Sequence, residues 1–222
     1  MRKTQYSASN LFSKAQVDPE KWNQRPSADD VAQTVEKIQQ RGITVIRAQN
    51  SEIALEKLKD LIPPGSEIMN GTSTTLLEIG YDEYVNNNLS QWNDLHKGII
   101  AENDEKKRHD LRRKSVTADY FISGVNAIVR SGEIVACDKS GSRVGAWLYG
   151  AGHLILVSGT NKIVKTLGDA LRRVHEYAYP LENVRAKRVY GTSSKIGKWA
   201  ILAHEETEGR VTLILIDESL GY

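Results

Sequence analysis

The chain has 222 residues, 40% of them hydrophobic and 26% charged, with 30 Lys and Arg against 28 Asp and Glu. Such a length gives one large domain or two small ones with a self-sufficient core, and the near-balanced charge of +2 offers neither nucleic acid nor anionic membrane a whole-molecule attraction. The single cysteine, Cys137, excludes an internal disulfide, and without a Cys-x-x-Cys pair or Cys/His cluster the chain has no pattern for a zinc ribbon, an iron–sulfur centre or dithiol chemistry.

Residues 1–26 read as an irregular polar arm in which Leu11, Phe12 and Trp22 can pin the segment to a body or to a second copy. Two basic residues open the chain with no apolar stretch behind them, so no secretory signal is expected and the compartment is read as the cytoplasm. Residues 27–222 read as one domain. Ser27 caps a helix whose Val31, Val35 and Ile38 share a face, ending at Gly42. Ile43–Arg47 is a strand. A second helix begins at Ser51, carries Ala54, Leu55, Leu58, Leu61 and Ile62, and stops at Pro63-Pro64. Ser66–Asn70 is the next strand, and Glu78–Lys114 is polar and helical. Asp119–Ser123 is a strand, and Asn126–Arg130 and Glu133–Cys137 form a hairpin about Ser131-Gly132, which makes a mixed sheet. Leu154–Val157 is a buried strand, the 3.6-residue spacing from Leu167 to Leu181 is a long helix loosened at Pro180 and Asn183, and Val211–Ile216 is the last strand. The longest apolar runs, Leu154–Val157 and Leu213–Ile216, fall far below the roughly 20 residues that span a membrane. Alternating strands and helices predict a three-layer αβα domain of the α/β class.

Two strand-to-helix loops have residues suited to an anion. Gly71-Thr72-Ser73-Thr74-Thr75 sets hydroxyls and unpaired N–H groups at a helix start, without the Lys of a P-loop; the alternative is an ordinary capped turn. Asp138-Lys139-Ser140-Gly141-Ser142-Arg143 follows the hairpin. There Arg143 can clamp a carboxylate or phosphate and Asp138 can serve as a base, unless the two merely shape the turn. Asn161 and Lys162 stand beyond another strand at the same sheet edge. Glu78, one turn after Thr74, is the second acid–base candidate or the end of a capping box. His153 reads as structural and Cys137 as buried and inert. The basic run Lys106–Lys114 reads as a solvated helix face, while Arg185, Lys187, Arg188, Lys195 and Lys198, with Tyr190 and Trp199, rim a ligand or subunit interface.

With these loops in view, the chain resembles the lactate-utilization (LUD) domain family. The resemblance rests on TADYFISGVNAIVRSGEIVACDKSGSRVGAWLYGAGHLILVSGTNKIV (Thr117–Val164), IMNGTSTTLLEIG (Ile68–Gly80) and ILIDESLGY (Ile214–Tyr222). It implies a fold like that of sugar-phosphate isomerases, glucosamine-phosphate deaminases and CoA-transferases, with a mainly parallel, mixed sheet. By that analogy the pocket is made by Gly71–Thr75, Gly124 to Asn126, Asp138–Arg143 and Asn161–Lys162. The implied role is organic-acid metabolism, lactate to pyruvate, on a small anionic ligand: an organic acid, a phosphate or a CoA ester. The alternatives are a non-catalytic accessory subunit of an iron–sulfur and flavin lactate-oxidizing complex, or an isomerase, acyl-transferase or ligase of the wider superfamily. Many relatives carry cysteines where this chain reads Val189–Gly197 without one, so no thiol or cluster role transfers. No metal or cofactor is expected on this chain, neither membrane nor nucleic acid is an expected partner, and a homo-oligomer is compatible with the arm.

Overall fold

In a computed structural model, which describes residues 5–87 and 90–222, the chain begins with helices α1 (Ala8–Ala15) and α2 (Pro19–Trp22). The arm is therefore not irregular. Ala8, Leu11, Phe12 and Ala15 fall at helical spacing, and the polar residues between them mask the stripe. Asp18 caps α2 by accepting the Lys21 N–H. Leu11 and Trp22 are buried against Tyr177, Leu181 and Tyr222.

Helix α3 (Ala28–Gln39) begins at the Ser27 cap, whose hydroxyl accepts the Asp30 N–H, and leads to β1 (Thr44–Ala48). Asn50 caps α4 (Ser51–Leu61), and β2 (Glu67–Asn70) leads to α5 (Thr74–Ile79). The polar middle resolves into α6 (Tyr81–Asn86), the two-residue β3 (Asn93–Asp94), α7 (Leu95–Ala101) and α8 (Glu105–Lys114). Then come β4 (Tyr120–Gly124), the hairpin β5 (Ala127–Val129) and β6 (Ile134–Asp138), α9 (Ser142–Gly145) with a π turn over Ala146–Gly150, and β7 (His153–Gly159). A 3₁₀ turn, Thr160–Lys162, precedes β8 (Ile163–Val164). Helix α10 (Leu167–Arg173) passes through a π turn, Val174–Ala178, into α11 (Tyr179–Tyr190), and β9 (Lys198–Leu202) and β10 (Val211–Ile216) finish the order. Pro180 does not loosen this helix. It follows closely on the π turn, whose wider winding accommodates a residue without an N–H, and α11 continues unbroken to Tyr190.

The strands form two sheets. The larger is wholly parallel, in the order β1-β10-β7-β4-β2-β3, and the mixed character resides in a smaller sheet, β8-β5-β6-β9. Alternation along the large sheet divides its side chains between two cores. Ile68, Ile122, Ile155, Val157, Ile214 and Ile216 pack on α4, α5 and α6. Met69, Phe121, Leu154, Leu156, Leu213 and Leu215 pack on α3, α7 and the small sheet. The three-layer αβα architecture thus holds, with the hairpin sheet forming part of one outer layer.

Candidate functional site

Because β10, β7, β4 and β2 are adjacent and parallel, their carboxyl ends deliver four segments to one edge: Asp217–Tyr222, Thr160–Lys162, Val125–Asn126 and Gly71–Ser73. The small sheet adds the loop after β6, and α11 closes the far wall. Together they enclose a cleft of about 650 Å³, within the size range of small-molecule sites.

Of the residues singled out from sequence, Gly71, Thr72, Ser73, Thr74, Gly124, Asn126, Asp138, Ser140, Arg143 and Lys162 line this cleft. Gly71 and Gly124 are there for close approach: a Cβ on Gly71 would lie 2.8 Å from Arg143 Cδ, and one on Gly124 would overlap Ser73 Oγ. Ser73 caps the six-residue α5, its hydroxyl 3.4 Å from the Leu76 N–H.

Thr75, Gly141, Asn161 and Glu78 lie elsewhere. Thr75 is buried beneath the floor and accepts from Lys162 Nζ at 2.9 Å. Gly141 gives its N–H to Asp138 Oδ2 at 3.0 Å and turns the loop with φ +103°. Asn161 ties the chain ends together, donating to Asn23 Oδ1 at 2.7 Å and accepting the Leu220 N–H at 3.1 Å. Glu78 is sealed under the C-terminal segment, where it accepts the Gly221 N–H at 2.7 Å. Burial pushes its carboxyl above the usual range, against the opposing pull of Ser7, the Gly221 N–H and Lys162.

Arg143 and Asp138 divide the work of the second loop. Asp138 Oδ2 accepts the N–H groups of Gly141 and Arg143, each at 3.0 Å, so this carboxylate oxygen shapes the turn. The Arg143 guanidinium reaches Gly124 O at 3.3 Å, Asn126 Oδ1 at 3.1 Å and Cys137 O. Among the described residues it has oxygen acceptors but no carboxylate within ion-pair distance. It therefore braces three segments while keeping its charge uncompensated. Cys137 is half-buried, and burial pushes its thiol up to about 11, which keeps it protonated. His153 is exposed and stacks on Tyr120 at 4.7 Å.

The remaining lining carries His96, Arg112, Tyr179, Glu182, Thr192, Ser194 and Tyr222, which the sequence did not assign to the pocket, together with Arg185, Tyr190 and Lys195 from the group read as rimming a ligand or subunit interface. Glu182 holds Arg185 through two 2.7 Å bonds and accepts the Tyr222 hydroxyl at 2.9 Å. The three-residue spacing of Glu182 and Arg185 was the available signal, whereas Tyr222 arrives from a segment remote in sequence. Among the described residues six basic side chains thus face the cleft, Arg112, Lys139, Arg143, Lys162, Arg185 and Lys195, against two carboxylates, Asp138 and Glu182. No group of three or more His, Cys, Asp or Glu among the described residues is placed to hold a metal, and none of their helices is long and apolar enough to cross a membrane.

Fold and site define an α/β domain with an electropositive cleft at the carboxyl edge of a parallel sheet. The model of the LUD domain family matches residues 31–216, and the chain belongs to that family. No curated protein matches it. Among solved structures, a DUF162 family protein from Deinococcus radiodurans is 15% identical, covering 85% of this chain and 96% of its own at a TM-score of 0.49. A D-ribose-5-phosphate isomerase solved with phospho-erythronic acid is 11% identical, covering 77% of this chain and 95% of its own at a TM-score of 0.37.

Proposed function

We propose that this chain binds a small organic anion in the strand-end cleft and serves organic-acid metabolism, with lactate-to-pyruvate oxidation as the pathway the family name points to. The observation that carries the reading is the charge of the cleft: among the described residues Arg112, Lys139, Arg143, Arg185 and Lys195 stand against two carboxylates, and the Arg143 guanidinium is held by oxygen acceptors with no carboxylate within ion-pair distance. A carboxylate or phosphate entering there meets a charge already oriented by the loops it braces, so little ordering is required on binding. Thr72, Ser73 and Thr74 add hydroxyls at the same edge.

A thermal-shift panel of lactate, pyruvate, CoA esters and sugar phosphates tests this. A ligand at about a hundred times its Kd adds about 2.7 kcal/mol, a rise of several degrees for a domain of this size. The expected result is a rise with one anion class that is lost in Arg143→Ala. A panel without response, or a response that Arg143→Ala leaves intact, contradicts the reading.

A further inference from the structure

Lys162 ends the 3₁₀ turn that follows β7, and its side chain is 2% exposed at the floor of the cleft. Its Nζ donates to Thr75 Oγ1 at 2.9 Å and to Val125 O at 3.0 Å. Among the described residues no carboxylate lies within ion-pair distance of it. A lysine ammonium has three protons to donate, whereas a neutral amine has two protons and a lone pair. The two acceptors match the neutral form and leave the lone pair unengaged.

The surroundings favour the same form. Three successive carbonyls accept from three different basic side chains: Gly124 O from Arg143 at 3.3 Å, Val125 O from Lys162, and Asn126 O from Arg173 at 2.5 Å. Arg173 is fully buried, and its Nη2 has no hydrogen-bond partner among the described residues. Lys162 thus stands between two guanidiniums. Burial foremost, then the charge of Arg173 and, more weakly, of Arg143 hold its amine well below the usual lysine range, with Glu78 opposing them.

We propose that Lys162 is a catalytic residue whose amine condenses with the carbonyl carbon of a 2-oxo acid held in the cleft. The proposal rests on the anion-binding reading and names its substrate class. Arg143 and Lys162 hold the carbonyls of consecutive residues, whose Cα atoms are about 3.8 Å apart. A ligand serving both needs its anionic group close to its carbonyl, as a 2-oxo acid provides. In the reaction the nitrogen lone pair bonds to the carbonyl carbon, the π pair moves to oxygen, and the proton leaving nitrogen is taken up there. The Thr75 hydroxyl is within reach to relay it. Loss of water then leaves a neutral imine, which takes one proton from solvent to become the iminium. Nothing is oxidised or reduced.

The test is incubation of the protein with pyruvate and sodium cyanoborohydride, which reduces the iminium to a stable secondary amine, followed by intact-mass measurement and peptide mapping. The expected product is a single adduct on Lys162, heavier by pyruvate less one oxygen atom. It is absent from Lys162→Met and from Lys162→Arg, with thermal melts confirming that at least one of the variants is folded. Pyruvate that raises the melting temperature without labelling Lys162, or label spread over exposed lysines and unchanged in Lys162→Arg, overturns the proposal while leaving anion binding in place. No adduct together with no thermal response to any anion overturns the anion-binding reading and this proposal with it.

Discussion

Replacing Lys162 with Met probes the charge state of the buried amine without any ligand. In the folded chain the amine is held well below the ordinary lysine value, by burial first and then by Arg173. Unfolding returns it to water, near 10.4. Between those two values the unfolded chain carries one proton more than the folded one, so folding stability rises with pH, by about 1.4 kcal/mol per pH unit for a full proton. Methionine has a similar length and no titration. Its cost, chiefly Thr75 Oγ1 and Val125 O left without a donor, is about 1–3 kcal/mol each and does not vary with pH. The stability difference between wild type and Lys162→Met should therefore move in favour of wild type by up to about 2.7 kcal/mol from about pH 7.5 to about pH 9.5. Urea unfolding of both proteins at the two pH values measures it. A difference that stays constant means that Lys162 remains charged when folded, and the argument for a free lone pair fails.

Other outcomes follow from the same geometry. Arg143→Ala should weaken binding of the cognate anion by roughly 10-fold to 150-fold, the loss of one charge-assisted contact of about 1.5–3 kcal/mol, in a calorimetric titration; unchanged affinity removes Arg143 from the site. Gly124→Ala sets a methyl group against Ser73 and should displace the Gly71–Thr74 loop, costing about 1–3 kcal/mol in chemical unfolding together with ligand affinity; a stable variant with full affinity refutes the close packing. Asp82, half-buried with Asp94 nearby, has its carboxyl pushed up to about 6 by burial first and then by the Asp94 charge. The folded state then holds that proton more tightly than the unfolded chain, so wild type loses up to about 3 kcal/mol as pH rises from about 4 to above 6. Asp82→Asn should gain that amount over wild type at about pH 8 and lose the advantage below about pH 4, as followed by urea midpoints; a pH-independent difference contradicts the shift.

The elements that position the cleft were legible where periodicity and punctuation agree. The Ser27 cap, the strand before Gly71, the Ser131-Gly132 hairpin and the last strand each carry a local signal that packing does not override. The placement of the hairpin in a sheet of its own was not legible, because its partners, Lys198–Leu202 and Ile163–Val164, are short strands, one of them inside a segment read as a basic patch. The α1 stripe was diluted by polar neighbours, and the π turn before Pro180 leaves no compositional mark.

For the site, glycine and hydroxyl loops at strand ends pointed to the edge of the sheet where the cleft lies. What they could not reveal is which side chains turn inward. Glu78 follows Thr74 by one helical turn, yet that turn carries it under Gly221, while Tyr222 enters the cleft because Asn161 and Glu78 hold the tail across it. The row of three carbonyls bound by Arg143, Lys162 and Arg173 joins residues as much as 49 positions apart and exists only in the folded chain.

Whether a small anion is held at the carboxyl edge of the sheet can be seen in a crystal structure of the protein soaked with pyruvate. Density for the acid is expected between Arg143, the Thr72–Thr74 hydroxyls and Lys162. Density confined to the shallower basic groove of Lys21, Arg25, Arg130 and Lys165, or none in the cleft at saturating concentration, contradicts the anion-binding reading.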